Sequence, residues 1–488
     1  MTEELQELLF GGDEEAVLAF CRSRKAEWDL YQLGQVCFQF YYFRAAFEAW
    51  SELLSGDQTA PLLGVASLCF REAHFDQSAR FMRRVVELNP ENAEYLCLLA
   101  SSLERVGELE EAEALLHKAL AISPRNARSI RQLAHLERNS KRLDCAQSRL
   151  EEAISWGGED EWRLRYELAA VYDRNGLFEK ALATLLSAKA HLVDAATSQI
   201  PIWRAVTQRQ WECTQQLTDE RLAKWAAGSS GCDLVLMAGF PRSGTSLLEK
   251  MLSSHERCIG TDESGILMNQ FTQSLVHEAV SSQEAMGELD SFIDEELAGG
   301  RQEYLRCTEA VLGEPVNGRI LIEKDPLLTI DLPVPLRLFP DCKILMPIRD
   351  PRDVVISFFF TMVPTTPNSV AAISLEKSCQ YYAEVMRHWL LLKERLPQER
   401  WLESRYEDLL DDPEGQTRRL ADFLSIEWSP SMVDHQKRGG DQTISTPTYH
   451  DVSQPLYRRS EGRWRQYEQA LAPHLHLLEP YLKAFGYE

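Results

Sequence analysis

No stretch of the 488-residue chain stays apolar for long. Apolar runs such as 234–237, and 354–356 followed by 358–360, fall far short of the roughly 18–20 residues that span a bilayer. No membrane insertion is therefore expected. Basic residues are also scarce: 52 Lys and Arg stand against 75 Asp and Glu, a formal net charge of −23. That balance argues against nucleic acid or anionic membrane as a partner, because both are bound through clustered Lys and Arg. It leaves room for a small anion held by a few local donors. The 11 cysteines form no CxxC pair, and their odd number fits free thiols in a reducing cytoplasm. No structural zinc or other metal site is expected, since ligand spacing is missing. The opening residues, Met-Thr-Glu-Glu-Leu, are acidic and lack the basic-then-apolar order of a secretory signal. A cytoplasmic location is the expectation.

What the sequence does have is an internal period. Pro90 and Pro124 stand 34 residues apart, in "VVELNPENAEY" and "ALAISPRNARS". In 93–126 the small or apolar slots are Leu96, Leu99, Ala100, Leu103, Ala112, Leu116, Ala119 and Pro124. In 59–92 the same slots hold Leu62, Val65, Ala66, Cys69, Ser78, Met82, Val85 and Pro90. A third copy carries Ile130, Leu133, Ala134, Ala146, Leu150 and Ala153. A fourth has Ala169, Ala181, Leu185 and Ala188, and a degenerate first copy has Gly34, Ala46, Trp50 and Leu53. The pattern resembles the tetratricopeptide repeat, two antiparallel helices per copy with small residues where they cross. About five helix pairs over 27–190 are expected, within a repeat domain of 1–190.

After it, 191–231 reads as a helical linker ending in the turn-like "AAGSSG". From 232 to 488 the texture changes to alternating strands and helices. "CDLVLMAGF", "RILIEKD", "CKILMPIRD" and "RWLESRYEDLL" carry the strands. Such alternation implies an α/β domain with a parallel sheet. Its first strand runs into Gly239-Phe-Pro-Arg-Ser-Gly-Thr-Ser246 and an apolar helix. The spacing is that of a phosphate loop, whose backbone N–H groups cradle an anion at a helix N-terminus. Thr245 occupies the usual lysine position, which argues against ordinary ATP or GTP hydrolysis. The ligand should carry a 5′-phosphate-like group with a less charged terminus, within reach of Arg242. In "ILMPIRDPRDVVISFFF", Arg349 follows a strand and Ser357 lies near the start of a helix, a pair able to hold a second phosphate. Asp350 and Arg352 are expected to pair with each other or with neighbours.

"FPRSGTSLLEKML" and "RDPRDVVISFF", about 100 residues apart, resemble the two phosphate-binding segments of sulfotransferases that use 3′-phosphoadenosine 5′-phosphosulfate (PAPS). The overall pattern is similar to the tetratricopeptide-linked sulfotransferases of bacteria, whose catalytic part resembles the tyrosylprotein sulfotransferases. The resemblance implies a P-loop-like sulfotransferase domain that takes PAPS as co-substrate, releases 3′-phosphoadenosine 5′-phosphate (PAP) and needs no metal. It assigns Arg242, Ser243, Gly244, Thr245 and Ser246 to the 5′-phosphosulfate, and Arg349 and Ser357 to the 3′-phosphate. In "GTDES" it points to Glu263 as the catalytic base, with Asp262 one residue away. In "EKDP" it implies Lys324 as stabiliser of the transferring group. Thr448 falls near the sulfate, Gly462 and Arg463 in a C-terminal cofactor loop, and Tyr406 at a position beside adenine.

The chemistry asks for these residue types. By analogy with phosphoryl transfer, positioned cations and N–H donors stabilise charge on the leaving and equatorial oxygens. Lys324 and Arg242 fit that role, with the Thr245 and Thr448 hydroxyls assisting. A carboxylate removes the acceptor's proton, a contribution of typically about 10²–10⁴-fold. His255 and His450 are alternative bases, and His255 equally suits a helix cap. Tyr406 and Trp464 also suit plain core packing. Two function classes result. One is a sulfotransferase acting on an unidentified hydroxyl acceptor, with a repeat array for a peptide or protein. The other is a nucleotide-binding scaffold whose array recruits a partner without turnover.

Overall fold

The computed structural model describes residues 3–24, 28–226, 231, 233–362, 369–434 and 458–488. They divide into two compact units, one running to Ala188 and one from Lys189 onward.

The first unit is helical. Thr59–Arg71 with Phe75–Leu88, Ala93–Val106 with Leu109–Ile122, Ala127–Asn139 with Leu143–Ser155, and Glu161–Arg174 with Phe178–Ala190 follow one another as pairs. Leu30–Gln39 with Phe43–Ser51 precedes them, and Glu3–Gly11 with Glu14–Arg24 adds helices ahead of the recognisable period. The repeated Pro-x-Asn-Ala element explains the helix starts. Asn92 Oδ1 accepts from the Glu94 and Tyr95 N–H groups, and Asn126 Oδ1 accepts from the Ser129 N–H. The Pro two residues earlier ends the preceding helix. The period-setting Ala66, Ala100, Ala112, Ala134, Ala146 and Ala169 are all buried. In the degenerate copy Gly34 serves the same purpose: a Cβ there would collide with the fully buried Trp50 ring.

The second unit holds a five-stranded parallel sheet. Its strands are β1 (Leu234–Met237), β2 (Cys258–Gly260), β3 (Ile320–Lys324), β4 (Lys343–Ile348) and β5 (Trp401–Arg405). Their spatial order is β2-β3-β1-β4-β5. At the centre, Val235 is in register with Ile322 on one side and Lys343 on the other. Inner strands buried on both faces explain the near-continuous apolar sequence of β1, β3 and β4. Edge strand β5, Trp-Leu-Glu-Ser-Arg, is half exposed and correspondingly more polar. Met237, Leu248, Leu252, Ile322, Leu345 and Leu420 belong to one core cluster around the sheet.

The stretch read as a linker contains helices Val193–Gln215 and Asp219–Trp225. The longer one packs within the second unit: Gln210 Nε2 donates to Asp331 Oδ1 at 2.9 Å, and Thr214 Oγ1 lies 2.7 Å from His388 Nδ1. Because all five strands run the same way, the loops after their carboxyl ends lie on one edge of the sheet. In open parallel sheets that edge is where ligands bind.

Candidate active site

The loop after β1 is shaped by backbone conformations that few residues tolerate. Gly239, Arg242 and Gly244 have φ of 149°, 78° and 98°. Gly239 is held on both sides by Thr329: its N–H donates to Thr329 Oγ1 at 2.7 Å, and that hydroxyl donates to Gly239 O at 2.7 Å. Gly244 precedes the helix Thr245–Ser253, where the first N–H groups have no intrahelical acceptor. A Cβ on Gly244 would stand 2.7 Å from Tyr406 Cδ2, so only glycine lets this ring lie against the loop. Within the loop the Ser243 hydroxyl is buried and has no hydrogen-bond partner among the described residues.

The second phosphate-type segment meets this loop directly. Arg242 Nε donates to Ser357 Oγ at 3.0 Å, across 115 residues of chain. Arg349 Nη1 donates to Arg242 O at 3.1 Å, and its guanidinium stacks 5.2 Å from the Tyr406 ring centroid. Arg349 Nε is buried without a hydrogen-bond partner among the described residues. The helix Pro351–Phe359 is capped by Asp350, so Ser357 stands in its second turn, further along than the start anticipated from sequence. The cap was legible, since Asp-Pro is a helix-start signal. Asp350 also takes Arg352, at 2.8 Å.

Asp353 ties in the C-terminal segment. Its carboxylate accepts from Gly462 N at 2.7 Å and Trp464 N at 2.8 Å, while Arg349 Nη2 donates to Ser460 O. Gly462 has φ 67°, and the Arg463 guanidinium lies 4.6 Å from the Phe360 ring centroid.

The third component surrounds Lys324, the last residue of β3. Its side chain is fully buried, and its ammonium meets three carboxylates: Asp262 at 2.9 Å, Glu249 at 3.0 Å and Glu263 at 3.5 Å. It also donates to Ser246 Oγ at 3.3 Å, which links this cage to the phosphate loop. Burial disfavours the charge on Lys324, but the three carboxylates outweigh it and raise its proton affinity. Asp262 and Glu263, just after β2, are consecutive non-glycine residues with φ of 48° and 61°. Such strain concentrates at functional positions. Desolvation by its packed surroundings pushes the Glu263 carboxyl up to about 7, against the pull of Lys324 and with help from Asp325, Asp262 and Glu249. A third of the Glu263 side chain still meets solvent, so a proton can enter and leave.

Of the predicted positions, Arg242, Ser243, Gly244, Thr245, Ser246, Arg349, Ser357 and Tyr406 gather around the loop. Gly462 and Arg463 join through Asp353, and Glu263 and Lys324 adjoin through Ser246. Thr448 and His450 lie outside the described residues. His255 is engaged elsewhere: Nδ1 accepts from the Arg257 N–H at 3.1 Å, and Nε2 faces Glu427 O at 2.8 Å. Both ring nitrogens thus serve the main chain.

Residues 235–430 match the model of the sulfotransferase family, and 93–126 match the tetratricopeptide repeat. The chain carries a sulfotransferase-family domain. An uncharacterized protein of Aquifex aeolicus (strain VF5) is 22% identical over 410 residues, 83% of this chain and 52% of the relative. Protein-tyrosine sulfotransferase 1 of Danio rerio is 26% identical over 247 residues, 47% of this chain and 65% of its own. The chain thus spans between about half and two thirds of these curated relatives. A solved sulfotransferase domain from the Synechococcus PCC 7002 olefin synthase aligns over 51% of this chain and 93% of its own, at 19% identity and TM-score 0.34. Among the described residues no helix is long and apolar enough to cross a membrane, and no group of three or more His, Cys, Asp or Glu is arranged to hold a metal ion.

Sequence reasoning missed two members of the sulfotransferase domain's site region. Glu249 is buried, and the Asp262 N–H donates to its Oε1 at 2.9 Å. Asp353 holds the C-terminal segment. One signal was available for Glu249: it is an acidic residue on the buried face of a helix, beside Leu248 and Leu252. A charge there demands a partner.

Proposed function

We propose that the chain transfers a sulfuryl group from PAPS to an acceptor hydroxyl. One observation carries this reading. Arg242 bonds Ser357 at 3.0 Å, so donors for two anionic groups of a single ligand lie side by side at the ends of β1 and β4. The donor set suits such a ligand. Ser243 Oγ and Arg349 Nε are buried polar atoms without a hydrogen-bond partner among the described residues, as anion donors would be, and Gly244 lets the Tyr406 ring lie against the loop. In this reading residues 242–246 hold the 5′-phosphosulfate, and Arg349 and Ser357 hold the 3′-phosphate. Gly462, Arg463 and Tyr406 flank the nucleoside.

When bound, the donor supplies a sulfuryl group on a phosphate that departs as part of PAP. The protein's part is electrostatic and acid-base. Lys324 keeps a positive charge fixed beside Ser246, at the loop that holds the reacting end. Arg242 adds a second cation from inside the loop. Glu263, with a proton affinity near neutrality and access to solvent, takes the proton that the acceptor hydroxyl loses. Thr448 is assigned to the sulfuryl oxygens on the strength of the sequence resemblance alone. The helical repeats offer a surface for a peptide or protein partner.

Ligand preference tests the reading. A ligand that binds only the folded state raises its stability, by about 2.7 kcal/mol at a hundredfold excess over Kd. PAP should raise the melting temperature of the full chain by several degrees, and ADP with magnesium should do so far less. Preference for ADP with magnesium overturns the assignment.

A further inference from the structure

The cage around Lys324 holds more negative charge than the cation needs. Three carboxylates share one ammonium, and they come from two places: Glu249 from the helix Thr245–Ser253, Asp262 and Glu263 from the turn after β2. The contacts are unequal. Asp262 and Glu249 sit at 2.9 and 3.0 Å, whereas Glu263 is the most distant, at 3.5 Å. Glu249 is also the most enclosed of the three, with 8% of its side chain exposed against 28% for Asp262 and 33% for Glu263.

Glu249 does a second thing. Its Oε1 accepts the Asp262 N–H at 2.9 Å, and so holds one of the two left-handed residues that aim Glu263. The close approach is sequence-encoded, since a Cβ at Gly260 would stand 2.5 Å from Glu249 Oε1. Gly260 ends β2 immediately before the strained turn, so helix, strand end and turn are locked to one carboxylate.

We propose that Glu249 is a positioning residue for the base: by taking the Lys324 ammonium and pinning the Asp262 N–H, it keeps Lys324 from closing on Glu263. The proposal rests on the sulfotransferase reading only for the name of the step that Glu263 performs. A lysine paired with Glu263 alone would form a short ion pair, stabilise its carboxylate and make it a poorer proton acceptor. With Glu249 and Asp262 holding the ammonium, Glu263 keeps a partner near enough to orient it and too shared to neutralise it. The charged groups facing Glu263 are Lys324 and Asp325 from the end of β3, Asp262 from its own turn and Glu249 from the helix. Removing the Glu249 charge takes away one repulsion and frees the ammonium, and both changes favour the Glu263 carboxylate.

The test is an infrared titration of the full chain, with the Glu263 carboxyl band isolated by subtracting the spectrum of Glu263→Gln. Glu249→Gln keeps an oxygen that can accept the Asp262 N–H and removes only the charge. It should lower the midpoint of the Glu263 band by about one pH unit or more. Stabilisation by PAP should stay within about twofold of wild type in apparent affinity. Glu249→Asp, which keeps the charge, should recover at least half of the shift. If Glu249→Gln does not fold, Glu249→Met, uncharged and of similar length, takes its place. An unchanged midpoint in the neutral variant overturns the proposal. A midpoint that shifts between wild type and Glu249→Gln in a protein that gains no stability from PAP upholds the positioning role and overturns the sulfotransferase reading instead.

Discussion

At the scale of single residues, the site is built by holding unfavourable things in place. Two consecutive non-glycine residues in the left-handed region cost about 1–3 kcal/mol each, and Asp262 and Glu263 are such a pair. The Asp262–Lys324 ion pair and the Asp262 N–H bond to Glu249 offset that cost. The result is a carboxyl group whose proton leaves near neutral pH instead of in acid. Glu263 is proposed to act deprotonated, so the rate of sulfuryl transfer should climb with pH until it passes about 7 and then level off. Well below that point the slope should be about tenfold per pH unit. Glu263→Gln should abolish this acid limb and lower the rate by about 10²–10⁴-fold. Its PAP binding, read by thermal stabilisation, should stay close to wild type. Transfer by Glu263→Gln at the wild-type rate would remove Glu263 from the role of base.

At the scale of elements, the loop after β1 depends on a single missing side chain. Gly244→Ala forces a Cβ into the left-handed region and against the Tyr406 ring, 2.7 Å away. A cost of about 1–3 kcal/mol in stability is expected, with a loss of PAP affinity of tenfold or more. Calorimetric titration of PAP into the variant checks this, and unaltered affinity would mean that the ring and the loop tolerate each other's displacement. Elements of this kind were largely readable from sequence. The phosphate-loop spacing, the 34-residue period and the apolar inner strands each encode local geometry in a local pattern, and each is where the pattern put it. The three-residue β2 was not readable, because Cys-Ile-Gly is too short to carry a periodicity. Glu249 and Asp353 were missed for another reason. Their partners Lys324, and Gly462 with Trp464, lie 75 and more than 100 positions away; a buried-face acid such as Glu249 signals that a partner is needed, but no local pattern says which one. The packing of the helix Val193–Gln215 within the second unit was not readable, because a solvent-facing helix and one packed against other helices can share a composition rich in Gln and Arg.

At the scale of the whole molecule, charge sets what can approach. A net charge of −23 repels acidic macromolecules over a distance comparable with the screening length. The two small clusters proposed to hold an anionic ligand, around Arg242 and around Arg349, can still do so, because contact distances outweigh the diffuse field. Of two hydroxyl-bearing peptides of equal length, the one with neutral flanks should accept sulfate faster than one flanked by Asp and Glu, by about tenfold at low salt. The gap should narrow as salt is added. Faster sulfation of the acidic peptide at low salt would indicate a local basic acceptor channel that dominates the overall field. The place of β1 in the middle of the sheet has a consequence in time. Its partners, β3 and β4, are translated 80 to 110 residues after it. At about 5–20 residues per second, Leu-Val-Leu-Met waits roughly 5–20 s with both edges unpaired. The repeats, whose contacts are local, fold within that interval. Each nascent chain therefore passes through a stage in which a finished helical array carries an exposed, sticky strand, and that stage is when the molecule most needs a chaperone.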